Sequence, residues 1–323
     1  MRAIVYSRYG SPDVMRQEEI EQPSPAAGEV LVRVRGAAAN PYDWHFVRGE
    51  PYVMRLMFGL RAPKRQRLGV DFAGVVEALG VGVTTLAIGD EVYGMGDGAY
   101  ADYVCVPEHN AARKPLSLGF DVAAAVPLAG LTALQGLRDA ARLQAGERVL
   151  IVGASGGVGT FAVQLGKYLG AHVTAVCSAK NLDLVRSLGA DEAIDYAARD
   201  FASSGEKYAA VLQLGGQDTP ARLRRALTAR GRLVLSSGES HGKWIGPIAR
   251  IFAAKASAPF VSQEMIVLDT QRSQADLVEL ARLVDAGVLH PIIDRKYPLS
   301  EAAEAVRYVE RAHSAGKVLV SLD

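Results

Sequence analysis

The sequence predicts an α/β protein of two domains, one β-rich and one built on a doubly wound parallel sheet. Its 323 residues exceed the roughly 100–200 that one domain usually holds. Short strand-like runs separated by Gly and Asp fill the first third, whereas strand and helix patterns alternate beyond about Asp121. A glycine-rich turn between a strand and a helix marks the second of these regions.

The β-rich first third consists of short, closely spaced strand patterns. VLVRVRGAAAN alternates apolar and charged residues, as a half-buried strand does, and GVDFAGVVEALG is a run of β-formers closed by glycines. The turn pair Gly89–Asp90 precedes EVYGM, and AYADYVCVP follows. This spacing predicts a small barrel or a curled sheet.

The second region alternates strands with helices. The apolar run RVLIV predicts a buried strand, and helix and strand patterns then follow one another as far as GRLVLSSG. Such alternation specifies a parallel sheet with helices on its faces. Because the chain ends on another strand pattern, KVLVSL, we expect it to return to the first domain. The predicted domains are residues 1–121 with 271–323, and residues 122–270.

Charge and apolar patterning argue against a nucleic-acid or membrane partner. The formal net charge is +1, so no global field attracts nucleic acid or anionic lipid. No stretch of about 18 uninterrupted apolar residues occurs, and no signal-peptide pattern opens the sequence. We therefore expect a cytoplasmic protein. Cys105 and Cys177 lie in strand-like runs, which favours two buried free thiols over a disulfide.

The glycine turn predicts a dinucleotide site. Gly153, Gly156 and Gly159 are spaced G-x-x-G-x-x-G between a buried strand and a helix, with Gly157 in addition. One glycine allows the sharp turn, another lets the backbone approach a pyrophosphate, and a third lets the helix pack on the strand. The helix then directs free N–H groups and the positive end of its dipole at the phosphates.

The end of the next strand favours NADPH over NADH. An NAD-binding protein usually places Asp or Glu there, whereas this chain has no acid between Cys177 and Asn181. Ser178 can donate a hydrogen bond to a 2′-phosphate and Lys180 can neutralise it. The alternative is that Lys180 is a solvated lysine at the start of a helix.

With these residues in hand, the chain resembles the zinc-independent quinone oxidoreductases of the medium-chain dehydrogenase/reductase superfamily. The resemblance runs through GEVLVRVRGAAANPYDW, IGDEVYG, VPLAGLTALQGL, GASGGVG and AGKVLV, and VLHPIIDRKYPLSEAAEAVRYVERAHSAGKVLV is similar to the reticulon-interacting subgroup. It implies a GroES-like catalytic domain from both chain ends and a Rossmann domain between them. It also implies a homodimer formed through the edge strand of the nucleotide domain, near 258–268.

The resemblance also implies that no metal is bound. Zinc-dependent relatives carry a catalytic cysteine where this chain has Asn40, and they carry a four-cysteine lobe that is absent between GDEVYG and GAYADYV. Two scattered cysteines cannot supply these sites, and the six histidines show no ligand spacing.

The resemblance and the glycine turn together imply a set of cofactor-binding residues. The set comprises Asn40, Thr132, Gly153, Ser155, Gly156, Gly157, Val158, Gly159, Ser178, Lys180, Tyr196, Leu214, Gly215, Gly216, Ser236, Ser237, Gly238, Lys317 and Val318. Ser178, Lys180 and Tyr196 would hold the 2′-phosphate, and Thr132 would contact the nicotinamide. As alternatives, Thr132 is a packing residue, Tyr196 an ordinary half-buried aromatic, and Lys317 a solvated side chain rather than a catalytic one.

Four residues are candidates for catalysis because reduction of a quinone or enone builds negative charge on oxygen, which needs hydrogen-bond donors. They are Asn40, Tyr42, His45 and Tyr52. His45 stands where the subgroup is expected to have a lysine, so it either protonates an intermediate near neutral pH or is a surface or ribose-contacting residue. The segment 51–69 is either an apolar lid with a basic rim or a packed loop with solvated charges.

The expected function is NADPH-dependent hydride transfer, without metal, to a quinone or another electron-poor conjugated carbonyl of a small hydrophobic substrate. One alternative is an enoyl or 2-alkenal reductase on the same fold. Another is a structural, regulatory or RNA-binding protein that binds NADPH with little turnover.

Overall fold

The computed structural model describes residues 1–236, 244, 261–311 and 314–322. The chain divides into two compact units, Met1–Leu131 with Gln271–Asp323, and Thr132–Thr270. The boundary between residues 270 and 271 coincides with the expected one. The boundary after Leu131 lies ten residues beyond the expected boundary at 121. Residues 120–131 stay with the first unit because the helix that begins at Phe120 packs on its sheet and the Leu128 N–H donates to Asp71 of that sheet at 2.9 Å.

The described residues form strands and helices, which are labelled in chain order. The strands are β1 (Arg2–Val5), β2 (Arg16–Glu19), β3 (Glu29–Ala39), β4 (Asp71–Leu79), β5 (Glu91–Met95), β6 (Tyr103–Pro107), β7 (Ala111–Arg113), β8 (Arg148–Val152), β9 (His172–Cys177), β10 (Glu192–Asp195), β11 (Tyr208–Gln213), β12 (Leu227–Leu235), β13 (Glu264–Val267), β14 (Ile293–Pro298) and β15 (Lys317–Ser321). The α-helices are α1 (Pro41–Arg48), α2 (Arg55–Phe58), α3 (Phe120–Ala123), α4 (Pro127–Gln135), α5 (Gly157–Tyr168), α6 (Leu182–Ser187), α7 (Pro220–Arg225), α8 (Gln274–Asp285) and α9 (Ala302–Glu310).

The first unit is built on a seven-stranded sheet. Its strands follow the order β14-β15-β3-β4-β5-β7, and β6 also pairs with β3. The strand β15 near the chain end pairs antiparallel with β3, so that Val318 lies opposite Ala39. The two ends of the sequence therefore share one sheet, as the resemblance implied.

The core of the first unit contains residues from both ends of the sequence. Val32 and Phe72 pack in the same buried cluster as Tyr100, and Val306 and Val320 from the C-terminal segment complete that cluster. Burial of these side chains supplies the main driving force that holds the C-terminal segment to the N-terminal sheet.

The described residues of the second unit form a six-stranded parallel sheet in the order β10-β9-β8-β11-β12-β13. From β8 the chain first moves outward through β9 and β10, and it then returns to the other side of β8 through β11, β12 and β13. This is the Rossmann strand order, and its direction reverses between β8 and β11. Ligands of such sheets bind outside the carboxyl ends of the strands at that reversal point.

One described segment, Phe120–Ala140, is long and apolar enough to cross a membrane by length and composition alone. However, 78% of its most apolar window is buried inside the protein. Its apolar side chains therefore supply interior contacts. The two cysteines are free thiols as expected, although Cys177 is buried and Cys105 is partly exposed.

Candidate cofactor and substrate sites

The glycine turn lies at the reversal point of the parallel sheet, between β8 and α5. Gly153 has a positive φ of 85°, and a Cβ there would lie 2.9 Å from the backbone nitrogen of Gly215. A Cβ on Gly159 would lie 2.2 Å from the carbonyl oxygen of Gly153. Only glycine fits these two positions, because the turn after β8 lies against both the loop after β11 and the first turn of α5.

Gly156 is a different kind of position. Its φ of −75° suits any residue, and the nearest atom to a Cβ would be the Gly153 carbonyl oxygen at 3.5 Å. Gly156 is also the N-cap of α5, and no side chain caps that helix. The first turn of α5 includes Gly157 and Val158. Its free N–H groups can therefore donate to an anion that approaches over Gly156.

Three polar side chains meet where the tip of β9 lies next to the glycine turn. The Asn181 amide nitrogen donates to the Ser155 hydroxyl at 2.9 Å and to the Ser178 hydroxyl at 3.3 Å. Lys180 is exposed beside them. Tyr196 follows the neighbouring strand β10 and is 62% exposed, and its N–H donates to the Cys177 carbonyl at 3.2 Å. These predicted residues thus come from adjacent strand ends.

The ends of β11 and β12 supply the remaining described cofactor candidates. The Leu214 N–H donates to the Val152 carbonyl at 2.9 Å, so Leu214, Gly215 and Gly216 follow the strand beside the glycine turn. The Ser236 N–H donates to Gln213 at 3.2 Å. Ser237 and Gly238 lie outside the described residues. Thr132 is buried, and its hydroxyl lies 3.0 Å from that of Thr270.

The residues at this edge of the sheet fit a dinucleotide. Gly156 leaves space that a Cβ would enter, α5 offers uncapped N–H groups, and one hydroxyl lies in the glycine turn (Ser155) and another at the tip of β9 (Ser178). Phosphate groups are recognised by this combination of backbone donors, helix dipole and small polar side chains.

The first unit contains a buried polar network centred on Lys317. Its ammonium nitrogen lies 3.0 Å from Asp71 Oδ2 and 2.5 Å from Asn40 Oδ1. Lys317 is 3% exposed and Asp71 is fully buried. The expectation that Lys317 is solvated is therefore wrong. Lys317 is buried because it starts β15, which lies between β14 and β3 in the sheet, and because Asn40 directly follows β3. Val318 is buried next to it.

Asn40 is held in one orientation by this network. Its amide nitrogen donates to the Ala38 carbonyl and to Asp71 Oδ2, each at 3.0 Å. Its amide oxygen accepts from Lys317. Both amide hydrogens are therefore used inside the protein, and Asn40 has none left to stabilise charge on a substrate.

A second carboxylate, Asp43, lies next to Asn40 in the same network. Asp43 Oδ2 accepts from the Asn40 N–H at 2.8 Å and from the Tyr100 hydroxyl at 2.7 Å. Burial raises the pKa of Asp43 to about 6, against the effect of these two hydrogen bonds. The nearby Asp71 raises that pKa further, whereas Lys317 lowers it. Burial and Asp43 also keep the pKa of Tyr100 well above its ordinary value.

The other catalytic candidates lie on α1 and in the turn after it. Tyr42 is partly exposed and contacts Phe46 at a ring distance of 4.3 Å. Its pKa is raised by burial. His45 stacks on Trp44, and its Nδ1 lies 2.8 Å from the Glu50 carbonyl oxygen. Tyr52 lies against the Arg55 guanidinium, at 4.5 Å from ring centre to Cζ.

His45 is poorly suited to donate a proton in its neutral form. Burial lowers its pKa, so the ring loses its charge more readily than a free histidine. A carbonyl oxygen can only accept, so the contact with Glu50 places the remaining proton on Nδ1. Nε2 of the neutral ring is then an acceptor.

The segment 51–69 combines buried and exposed apolar residues. Met54 and Phe58 pack against the core of the first unit, whereas Leu56 is 71% exposed and Met57 and Leu60 are similarly open. The packed-loop interpretation therefore holds for only part of the segment. Near it, a small and open depression is lined by residues that include Tyr42, Phe46, Arg65, Arg67 and Asp97.

Two family models match the chain. The family described as "Alcohol dehydrogenase GroES-like domain" matches residues 26–116, and the family described as "Zinc-binding dehydrogenase" matches residues 188–320. An Arabidopsis thaliana protein named "Chloroplast envelope quinone oxidoreductase homolog" is 32% identical, with 99% of this chain and 98% of that protein covered. The chain belongs to the quinone oxidoreductase family.

Two further relatives of this chain carry other names. The mouse "NAD(P)H oxidoreductase RTN4IP1, mitochondrial" is 32% identical over 100% of this chain and 89% of that protein. The Arabidopsis thaliana "NADPH-dependent alkenal/one oxidoreductase, chloroplastic" is 32% identical over 99% of this chain and 79% of that protein.

Solved structures have the same fold over the whole chain. The quinone oxidoreductase from Coxiella burnetii superposes with a TM-score of 0.87 at 31% identity, and 100% of this chain and 99% of that chain are covered. A mycobacterial protein complexed with NADPH, Rv1454c, superposes with a TM-score of 0.84 at 27% identity and full coverage of both chains.

The zinc named by one family description finds no set of ligands among the described residues of this chain. Within the described part of the chain, no group of three or more His, Cys, Asp and Glu residues could hold a metal ion. The amide of Asn40 occupies the position expected for a catalytic cysteine, and its oxygen already accepts from Lys317. No step of the chemistry is therefore assigned to zinc.

Sequence reasoning missed four residues of these sites. Asp71, Asp43 and Tyr100 complete the network around Lys317, and Asn181 joins the two serines. Asp71 did give a signal, since it is an acid at the start of the strand pattern DFAGVV, whose other residues are apolar or glycine. Asn181 gave none, because its role depends on two loops that are 26 residues apart.

We expect Lys317→Met to lower the free energy of unfolding by about 3–5 kcal/mol, because it leaves the Asp71 carboxylate buried without its cation. The double variant Lys317→Met/Asp71→Asn should regain part of this loss. Lys296→Met is the matched control, since Lys296 pairs with Asp121 at the surface and should change stability by less than about 1 kcal/mol. Urea unfolding measures the free energy of unfolding of all three variants. Equal losses of stability in Lys317→Met and Lys296→Met would contradict the burial argument.

The raised pKa of Asp43 predicts a pH dependence of stability. The unfolded carboxyl titrates near 3.9, so Asp43 contributes stability that is present below about pH 4 and is lost as the pH rises through about 6. Asp43→Asn should cost about 1–3 kcal/mol at pH 5, because an amide cannot accept all of the same hydrogen bonds. The difference in the free energy of unfolding between this variant and wild type should shrink between pH 5 and 7.5. Thermal unfolding measures this difference, and a difference that does not change with pH would refute the raised pKa of Asp43. The exposed Asp183→Asn serves as control.

The two glycines of the turn should respond differently to alanine. Gly159→Ala should lower the melting temperature and abolish dinucleotide binding, because its Cβ would overlap the Gly153 carbonyl. Gly156→Ala should keep the melting temperature within about 2 °C and still weaken dinucleotide binding about tenfold or more, because its Cβ enters the space left for a phosphate. Thermal unfolding and titration with NADPH separate the two effects, and full binding by Gly156→Ala would show that no phosphate approaches there.

Proposed function

We propose that this protein is an NADPH-dependent reductase that transfers hydride, without zinc, to a quinone or another electron-poor conjugated carbonyl. The observation that carries the proposal is the tip of β9, which offers the Ser178 hydroxyl and Lys180 where an NAD-binding protein has a carboxylate, and which Asn181 joins to Ser155 of the glycine turn. The family names of the relatives supply the reaction class.

The charges near the tip of β9 support NADPH over NADH. The nearest acid along the chain, Asp183, is 99% exposed and pairs with Arg186 on the same helix. It is therefore not directed at the two serines. Ser178 and Lys180 suit a 2′-phosphate through hydrogen bonding and charge. The NADPH named in the mycobacterial structure is consistent with this choice.

Bound NADPH would supply the hydride, while the residues of the chain would bind, orient and stabilise charge. In the nucleotide unit, Ser155, Gly156 and the first turn of α5 would hold the pyrophosphate. In the first unit, Lys317 and Asp71 would fix Asn40 as a rigid hydrogen-bonded element. Tyr42, which lines the depression in that unit, and Tyr52 are the proposed donors to the substrate oxygen.

A reductase of 2-alkenals or enoyl compounds is the second candidate function. It is favoured by the relative named as an NADPH-dependent alkenal/one oxidoreductase. The exposed apolar residues Leu56, Met57 and Leu60 suit a hydrophobic substrate of either class. The remaining alternative is a protein that binds NADPH with little turnover.

We further propose a cytoplasmic homodimer, without nucleic-acid or membrane partners. The strand β13 lies at the edge of the described nucleotide-unit sheet and pairs only with β12 there, so its outer edge suits a second copy. Residues 258–260 of the expected interface lie outside the described residues. The proposed location differs from that of the relatives named as chloroplast envelope and mitochondrial proteins.

Oxidation of NADPH and of NADH should be compared with 1,4-benzoquinone, 9,10-phenanthrenequinone, an alkenal and, in reverse, an alcohol. We expect kcat/KM for NADPH to exceed that for NADH by at least about tenfold, and Lys180→Ala to reduce this preference about threefold to tenfold through loss of the cation. Activity should persist after treatment with a chelator. Equal use of both nucleotides would refute the NADPH assignment, and tight NADPH binding without turnover of any substrate would favour the non-enzyme alternative.

A further inference from the structure

Asn181 connects two loops of the nucleotide unit that are far apart along the chain. It closes a short 3₁₀ turn after β9, where its N–H donates to the Ser178 carbonyl at 2.9 Å. Its side chain is directed inward, since the residue is only 9% exposed. The single amide nitrogen donates to Ser155 in the glycine turn at 2.9 Å and to Ser178 at the strand tip at 3.3 Å.

These two hydrogen bonds fix how each serine hydroxyl can be used. An amide nitrogen carries two hydrogens and accepts none, so both serine oxygens act as acceptors towards Asn181. Each hydroxyl therefore keeps its own hydrogen for another partner. A hydroxyl in this state is a donor, which suits a phosphate oxygen, because phosphate offers only acceptors at neutral pH.

We infer that Asn181 is a positioning residue that determines cofactor specificity. It holds the Ser155 and Ser178 hydroxyls as a pair of outward donors, one for the pyrophosphate and one for the 2′-phosphate. The inference rests on the proposed NADPH function and deepens it, because it assigns selectivity to a residue that does not itself touch the nucleotide. A residue that only ties the two loops together would not have this effect on the 2′-phosphate.

The variant Asn181→Asp separates the two roles, because it keeps the size and shape of the side chain. A carboxylate can only accept, so both hydroxyls would donate to it. Their hydrogens would then no longer be available to a phosphate. Its negative charge would also oppose a phosphate. Asn181→Ala removes the tie between the loops but leaves both hydroxyls free to donate. A specificity role therefore predicts that Asp is worse than Ala for phosphate binding, whereas a purely structural role predicts that Ala is at least as harmful.

The test measures dissociation constants of the full-length protein for NADPH, NADH, adenosine 2′,5′-bisphosphate and AMP, which require no turnover. For Asn181→Asp we expect binding of NADPH and of the bisphosphate to weaken about 30-fold to 100-fold through loss of both serine donors, and binding of NADH and AMP to weaken only about threefold to tenfold through loss of Ser155 alone. Asn181→Ala should weaken the binding of NADPH about threefold to tenfold. Ser187→Asp is the control, since it adds the same charge at the exposed far end of α6 and should leave all four constants within about twofold.

Three outcomes would overturn the inference. The first is an equal loss of NADPH and NADH in Asn181→Asp, and the second is a larger loss of NADPH in Asn181→Ala than in Asn181→Asp. The third is a loss in Ser187→Asp as large as that in Asn181→Asp. If wild type itself binds NADPH no better than NADH, the proposed cofactor fails first and the role of Asn181 fails with it. If wild type prefers NADPH and any of these three outcomes is found, only the role of Asn181 is overturned.

Discussion

The ion pair between Lys317 and Asp71 is the interaction on which the first unit depends. Both groups are almost completely withdrawn from water, which is costly unless each finds a partner. Lys317 comes from the C-terminal strand and Asp71 from the start of β4, with β3 between them in the sheet. The pair therefore ties together segments that are 246 residues apart. Burial of the surrounding apolar residues supplies the stability, and the ion pair adds a fixed arrangement of polar atoms.

That arrangement gives Asn40 a different role from the one its position suggests. An amide at the end of a strand, next to a helix, looks like a donor for a substrate oxygen. In the folded protein its hydrogens go to Ala38 and Asp71, and its oxygen accepts from Lys317. The network therefore contributes rigidity and local charge, and the donors for substrate must come from elsewhere. Such preorganisation is effective because fixed dipoles need no rearrangement during a reaction.

The nucleotide unit shows the same principle with neutral groups. Its glycines let the turn after β8 lie against the loop after β11, and this contact defines the edge at which a phosphate can approach. Asn181 then sets the hydrogen-bond direction of two serines from different loops. In both units an amide side chain controls the polarity of neighbouring groups, because one amide offers two donors and one acceptor in a fixed geometry.

The sequence by itself determined the two-domain plan, the strand–turn–helix with its glycines and the missing acid at the tip of β9. These are local patterns, set by the period of apolar residues and by the steric freedom of glycine. Tertiary structure decided that Lys317 is buried, that Asp43 has a raised pKa and that Asn181 joins Ser155 to Ser178. Each of these depends on residues far apart in the chain, and no local pattern encodes the burial and partners that fix the behaviour of a polar group.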